Sequence, residues 1–259
     1  MHPARIFSRM GALLLLLCAA FAAAAQQACV AVSGSQRVAL VELYTSEGCS
    51  SCPPADRQLS LIGAPANTNV VALALHVNFW DYIGWKDPFA RAEFTDRQRW
   101  LVGVNGGRTL YTPHFFVGGQ EIQNRAQVGA AIRAASQKPA MARIRLEASH
   151  RGAGNLEIRV DAADATAGAP LGLYVAVTEN GLSTDVKAGE NRGATLPHDH
   201  VVRHWLRPVQ LKDGGAQFSQ VVVLSPDQVR KGVNVVAFVQ DNRTAEVLQA
   251  VSAVACRAG

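Results

Sequence analysis

The chain has 259 residues, 49% of them hydrophobic and 17% charged, proportions that exclude disordered, collagen-like and coiled-coil classes and leave a globular protein of one or two domains. Its formal charge of +5 comes from Lys and Arg scattered without a basic run or a basic helical face, which argues against nucleic acid as a partner. Five cysteines are too few for a disulfide scaffold at this length.

At the amino terminus Arg5 and Arg9 precede an apolar stretch from Leu13 to Phe21, which ends in the small residues Ala23, Ala24 and Ala25. That is the pattern of a secretory signal peptide over residues 1–25, cleaved near Ala25, and it predicts a periplasmic or secreted protein. Loss of the leader removes two arginines and lowers the formal charge from +5 to +3. No later apolar run approaches the roughly 20 residues needed to cross a bilayer, so the mature chain is expected to have no membrane span.

Cleavage also removes Cys18 and leaves Cys29, Cys49, Cys52 and Cys256. An even number in an exported chain invites pairing. Cys49 and Cys52 form a Cys-Ser-Ser-Cys unit, whereas the other two lie near the ends of the mature chain, so the favoured pairing is 49 with 52 and 29 with 256. A structural bridge between Cys29 and Cys256 contributes roughly 4 to 5 kcal/mol in the loop-entropy model.

Residues 38–44 read as a buried strand, followed by the turn-like Thr45-Ser46-Glu47-Gly48 and a helix expected to begin at Cys49. Pro53 and Pro54 fit its first turn, and Asp56 suits the positive end of the helix dipole. A second buried strand, residues 70–77, leads into the aromatic segment 78–86. Asp87-Pro88 then reads as an N-cap and N1 pair opening a helix toward Val102. Residues 109–117 form a strand with a Gly118-Gly119 hairpin and a short return through Ile122, and a last helix is expected from Asn124 to about Gln137. This order is α/β.

Beyond Pro139 the pattern becomes alternation with frequent turn signals. Strands are predicted over 143–149, 155–162, 171–178, 217–224, 233–240 and 247–255, with a long polar loop over 185–198, which reads as an antiparallel β-sandwich. The expected organisation is a first domain over 26–138 and an all-β sandwich-like domain over 139–259.

The Cys-x-x-Cys unit serves redox exchange, half a zinc site or a structural bridge. Redox exchange needs a thiolate at a helix amino terminus, where orphan N–H groups and the dipole lower its pKa, and a second thiol to resolve the mixed disulfide. Cys49 as attacking thiol and Cys52 as resolving thiol meet this pattern. Zinc would need further ligands that sequence spacing does not supply, with His76 and His114 available only through folding. The run His198-Asp199-His200 with His204 offers a copper reading, for which solvated residues are the commoner explanation.

Strand, Cys-x-x-Cys and helix, followed about sixty residues later by Thr112-Pro113, a strand and a Gly-Gly hairpin, resembles the thioredoxin fold over residues 38–138. The resemblance implies an α/β thioredoxin-like domain with a cis peptide before Pro113, a substrate-pairing backbone at Thr112, and a buried acid on the first strand, at Glu42, that helps deprotonate the resolving cysteine. At finer grain the stretch Glu42 to Asp56, His76-Val77, Trp80-Asp81-Tyr82, Gly84 to Ala90, Tyr111-Thr112-Pro113, Glu190 to Gly193 and Val236 to Asp241 resemble DUF1223, an exported thioredoxin-like family named for its unknown function. Asn78 stands where that family usually has an acid and His114 where it usually has glutamine.

The sequence reading is therefore an exported thiol-disulfide oxidoreductase without cofactor or metal. Cys49, Cys52, Thr112, Pro113 and Glu42 form its catalytic set, and Trp80, Tyr82, Trp85, His76 and His114 are candidate binding residues. Its partners would be protein or small-molecule thiols and disulfides and a redox recycling partner. Two alternatives stay open: a non-enzymatic envelope binding protein with a static disulfide, and a copper-handling protein.

Overall fold

The structure is a computed structural model of the chain, and it describes residues 29–152, 154–164 and 169–256. The leader expected over residues 1–25 lies outside the described residues.

The first half runs β1 (Cys29–Val32), β2 (Ala39–Thr45), α1 (Pro53–Ile62), β3 (Val70–His76), a 3₁₀ turn over Asn78–Ile83, α2 (Ala92–Val104), β4 (His114–Val117), β5 (Gln120–Ile122), a second 3₁₀ turn over Arg125–Gln127 and α3 (Val128–Ser136). The second half runs β6 (Ala142–Arg151), β7 (Asn155–Asp164), β8 (Leu171–Glu179), β9 (Leu182–Asp185), β10 (Thr195–His198), β11 (Val201–Trp205), β12 (Val209–Gln210), β13 (Gly215–Val223), α4 (Pro226–Lys231), β14 (Asn234–Asp241) and β15 (Val247–Val254).

Strands are present where the sequence pattern places them at 38–44, 70–77 and the six stretches beyond 139. The expected strand over 109–117 begins only at His114, β1, β9, β10, β11 and β12 have no counterpart in the pattern, and the expected architecture does not hold. Among the described residues the protein is mostly β, 44% strand against 21% helix, and it is not an α/β thioredoxin-like domain followed by a β-sandwich. A nine-stranded sheet draws on both halves in the order β15-β14-β8-β11-β3-β2-β4-β5, with β12 beside β8, while β1 leaves the first half to join β6, β7 and β13 in a four-stranded sheet. The joint is β11, parallel to β3 at Val201↔Ala74 and antiparallel to β8.

The physical reason lies in the strands themselves. In β14, Val235, Ala237 and Val239 enter one core cluster and Val236 and Phe238 another, so both faces are covered. Near-continuous apolar runs of this kind belong to strands inside a layered sheet and not to a half-solvated sandwich. One face of the nine-stranded sheet is continuous: Leu40 and Tyr44 of β2 share a cluster with Phe94, Leu101 and Val102 of α2 and with Ala176, Val236 and Phe238. The opposite face is divided. Leu59 of α1 and Val128 and Ile132 of α3 pack on Val41, Leu43 and Ala74 at one end, and the four-stranded sheet packs on β8, β14 and β15 at the other.

Several local readings are also corrected. Helix α1 begins at Pro53, with Cys52 as its N-cap residue, so the cysteines occupy the turn before the helix. Asp87 does not cap α2; that helix starts at Ala92 with Arg91 as its N-cap residue. The polar stretch 185–198 is not one long loop, because β9 and β10 pair antiparallel and only the segment between them crosses toward the cysteines.

Candidate functional site

Parallel pairing of β2 and β3 sets Thr45 beside His76 at their carboxyl ends, where open sheets with parallel strands characteristically place ligand sites. The chain leaves β2 through Ser46-Glu47-Gly48 and reaches a Cys49–Cys52 disulfide immediately before α1. The turn is held by backbone bonds from Cys49 N–H to the Ser46 carbonyl and from Cys52 N–H to the Cys49 carbonyl, both 3.2 Å. Cys49 is 1% exposed and Cys52 is fully buried, while Ser50 and Ser51 between them face solvent. Gly48 lets the turn sit close to the aromatic segment: a Cβ there would lie 3.2 Å from both Trp80 Cβ and Ile83 Cδ1, tighter than ordinary contact.

Behind the disulfide is a sealed polar cluster. His76 Nδ1 meets Asp87 Oδ2 at 2.7 Å, and the same oxygen accepts the Glu47 N–H at 2.9 Å. Glu47 in turn accepts the Trp85 indole N–H at 2.8 Å and meets His198 Nε2 at 3.1 Å. Asp56, one turn into α1, is buried beside the two imidazoles. Within this cluster Thr45 Oγ1, Asp56 Oδ1 and His76 Nε2 have no hydrogen-bond partner.

Burial lifts the Asp56 carboxyl above the ordinary carboxylate range, against the opposing pull of His76 and His198. Burial alone would lower His76, but Asp87, with Asp56 and Glu47, holds it above the ordinary imidazole value. Burial would raise Asp87, yet His76 and the backbone N–H groups it accepts keep it low. Each partner thereby favours the charged form of the other.

A strap from the second half lies across the turn. Asn191 Nδ2 donates to the carbonyls of Glu47 and Cys49 at 2.8 and 2.9 Å. Glu190 accepts from the Ser50 N–H and hydroxyl at 2.9 and 2.8 Å, bonds that lower its pKa. Gly189, with φ +74°, lets this segment seat against Ile83 and Trp85.

The other residues singled out in the sequence divide between the two faces. Trp80 lies beside Gly48 and donates its indole N–H to Thr112 Oγ1 at 2.7 Å, next to the cis Thr112–Pro113 peptide. Tyr82 is 83% exposed. His76 is fully buried and presents no surface. Glu42 lies on the α2 face, where Arg97 Nε and Nη2 donate to it at 2.6 and 3.1 Å. His114 is on that same face, between Gln98 and Glu121 and stacked 3.9 Å from Tyr111; burial lowers its pKa against the Glu121 charge. Tyr111 is pushed up to about 12 by burial and by its bond to Glu121.

Glu47, Asp87, Asp56, His198 and Asn191 are the site residues that sequence reasoning did not assign. In the sequence, helix-end chemistry accounts for Asp87 and Asp56, and the neighbours His200 and His204 account for His198. The histidines have separate surroundings: His198 meets Glu47, and His200 lies against Gly63.

The model of DUF1223, a family described as proteins of unknown function, matches residues 40–240. The chain belongs to this family. The match spans both halves and includes the cysteine turn, the buried cluster and the strap. A crystal structure of a protein from Agrobacterium tumefaciens is similar, with 24% identity and a TM-score of 0.62 over 85% of this chain and 96% of that one. HBP35 of Porphyromonas gingivalis is similar at 16% identity and a TM-score of 0.64, over 85% of this chain and 76% of that one. At these identities the likeness is one of fold alone. A search of curated proteins finds no match. The second bridge, Cys29–Cys256, joins residues 227 apart. Two disulfides are compatible with an exported protein, and among the described residues no helix is long and apolar enough to cross a membrane.

Proposed function

We propose that this DUF1223 protein is an exported thiol-disulfide oxidoreductase working through Cys49 and Cys52. The observation that carries the reading is the position of the pair in the turn entering α1, where Cys52 is the N-cap residue and no side chain caps the helix. Pro53 and Pro54 carry no N–H and the Ala55 and Asp56 N–H groups go to the Cys52 carbonyl, so it is the positive end of the helix dipole that stabilises a thiolate there. Cys49 is the attacking sulfur, flanked by exposed Ser50 and Ser51, and Cys52 resolves. Trp80, Thr112 and Pro113 would border the substrate, and protein or small-molecule disulfides with a recycling partner would complete the cycle.

A second reading, a static disulfide in a binding protein, draws on the near-complete burial of Cys49 and the bonds that fasten its turn. The test is a Cys52→Ser variant of the mature chain. An oxidoreductase accumulates mixed disulfides through Cys49 because the resolving thiol is gone, and its wild-type pair equilibrates with a dithiol buffer. No covalent adduct, together with a pair that resists reduction below roughly −300 mV, would leave the static reading.

A further inference from the structure

We infer that Asp56 is the proton acceptor that frees the Cys52 thiol for the resolving step; the biological use of this device rests on the oxidoreductase reading above. The need arises from burial. Cys52 is fully buried, so its thiol is screened from bulk water, and burial favours the neutral form. At neutral pH an internal base takes that proton, and hydroxide, which reaches the thiol as the turn opens, does so only at higher pH.

Asp56 is placed to do so. Cys52 has helical dihedrals, φ −76° and ψ −40°, and its carbonyl accepts the Asp56 N–H at 3.0 Å. The two residues therefore lie one turn apart on one helix face. Helical side chains lean toward the amino terminus, which carries the Asp56 carboxylate back toward the cysteine. The groups facing Asp56 are Thr45 of β2, His76 of β3, Asp87 from the segment before α2 and His198 of β10.

Every other carboxylate in this cluster is committed. Asp87 is bonded through both oxygens, to His76 and Glu47 N–H on one side and to Phe89 N–H on the other. Glu47 is held by Trp85 and His198. The Asp56 carboxyl has only the Thr45 hydroxyl beside it, with no well-formed hydrogen bond to its buried Oδ1, and is the one acid of the cluster not held by strong donors. The elevation of the Asp56 carboxyl by burial brings it closer to a thiol's range, as efficient proton transfer requires.

The step balances as follows. The Cys49 thiolate attacks one sulfur of a substrate disulfide R–S–S–R′, forming Cys49–S–S–R and expelling R′–S⁻. The Cys52 S–H proton passes to the Asp56 carboxylate. The Cys52 thiolate then attacks the Cys49 sulfur, the Cys49–S–S–R bond breaks, and R–S⁻ departs. Two electrons have moved from the protein dithiol to the substrate. The proton on Asp56 leaves to solvent or to the departing thiolate when the turn opens.

The experiment uses the reduced mature chain and an aromatic disulfide reagent that releases a coloured thiolate at each step. The first release reports attack by Cys49 and the second reports resolution by Cys52. Asp56→Asn is expected to slow the second release at least about tenfold at pH 7 and to leave the first unchanged. The deficit should close as pH rises past the ordinary thiol pKa of about 8.5, where hydroxide replaces the internal base. Asp56→Glu should recover part of the rate, and Asp56→Ser carries the same comparison if the asparagine variant does not fold. A second release with the wild-type pH profile in the neutral variant, or one slowed equally at every pH, overturns the inference. If both releases behave as expected while Cys52→Ser captures no protein, the oxidoreductase reading falls and the proton acceptor stands. If the reduced wild type gives no second release, the inference falls with it.

Discussion

Glu42 and Asp56 are buried carboxylates on opposite faces of the same sheet, and their partners separate their roles. Arg97 grips Glu42 with two nitrogens, lies over the rings of Trp100, Tyr174, Trp205 and Phe238, and also reaches Gln240 Oε1 at 3.1 Å. That guanidinium ties α2, β2, β8, β11 and β14 together. Removing one member of a buried ion pair leaves the other charge uncompensated, at a cost of roughly 3–5 kcal/mol. Glu42→Gln is therefore expected to lower Tm by on the order of 10 °C, given about 2–4 °C per kcal/mol in a protein this size. Both releases of the aromatic thiolate should keep their wild-type rates. Normal stability with slowed resolution would instead return Glu42 to the cysteine chemistry, the role its first-strand position suggested from sequence.

At the scale of elements, the strap between β9 and β10 shows what the sequence could and could not convey. Strands, the cysteine turn and the Gly118-Gly119 hairpin follow from apolar runs, proline position and turn residues, all local signals. Glu190-Asn191 is exposed polar sequence with no local structural demand, and only the fold brings Asn191 to the Cys49 carbonyl, 142 residues away. Asp87 was legible as an N-cap because Asp-Pro has that local meaning; its bonds to His76 and Glu47 cross from one element to another and leave no mark in spacing. The strap also yields a prediction. Asn191 makes two hydrogen bonds to the turn, each worth about 1 kcal/mol net, so Asn191→Ala weakens its fastening by about 2 kcal/mol, roughly thirtyfold in an opening equilibrium. Reduction of Cys49–Cys52 by a small dithiol should accelerate by about that factor, with Tm lowered by roughly 4–8 °C. An unaltered rate would mean that the turn opens without releasing the strap.

For the whole molecule, the sequence suggested a division at residue 138, and the shared sheet predicts what cutting there does. A fragment of residues 26–138 would retain β2, β3, β4 and β5 with α1, α2 and α3, yet β1 would lose its pairing with β6 and the edge of β3 its partner β11. The α2 face would lose Ala176, Val202, Val236, Phe238 and Val247 from the cluster that buries Leu40, Tyr44, Leu73 and Leu75. Each large apolar side chain returned to water forfeits roughly 1.5–3 kcal/mol, and four such losses rival the entire 5–15 kcal/mol by which ordinary domains are stable. The Cys29–Cys256 bridge could not form in the fragment either, because its two ends flank β6 at Ala148 and Ser149 and both Cys256 and β6 lie beyond the cut. The fragment is expected to show no cooperative thermal transition and poor dispersion of amide resonances, whereas the mature chain unfolds in a single step. A fragment that melts cooperatively with a dispersed spectrum would establish the first half as an independent folding unit and confine the role of the second to covering its open edge and fastening the cysteine turn.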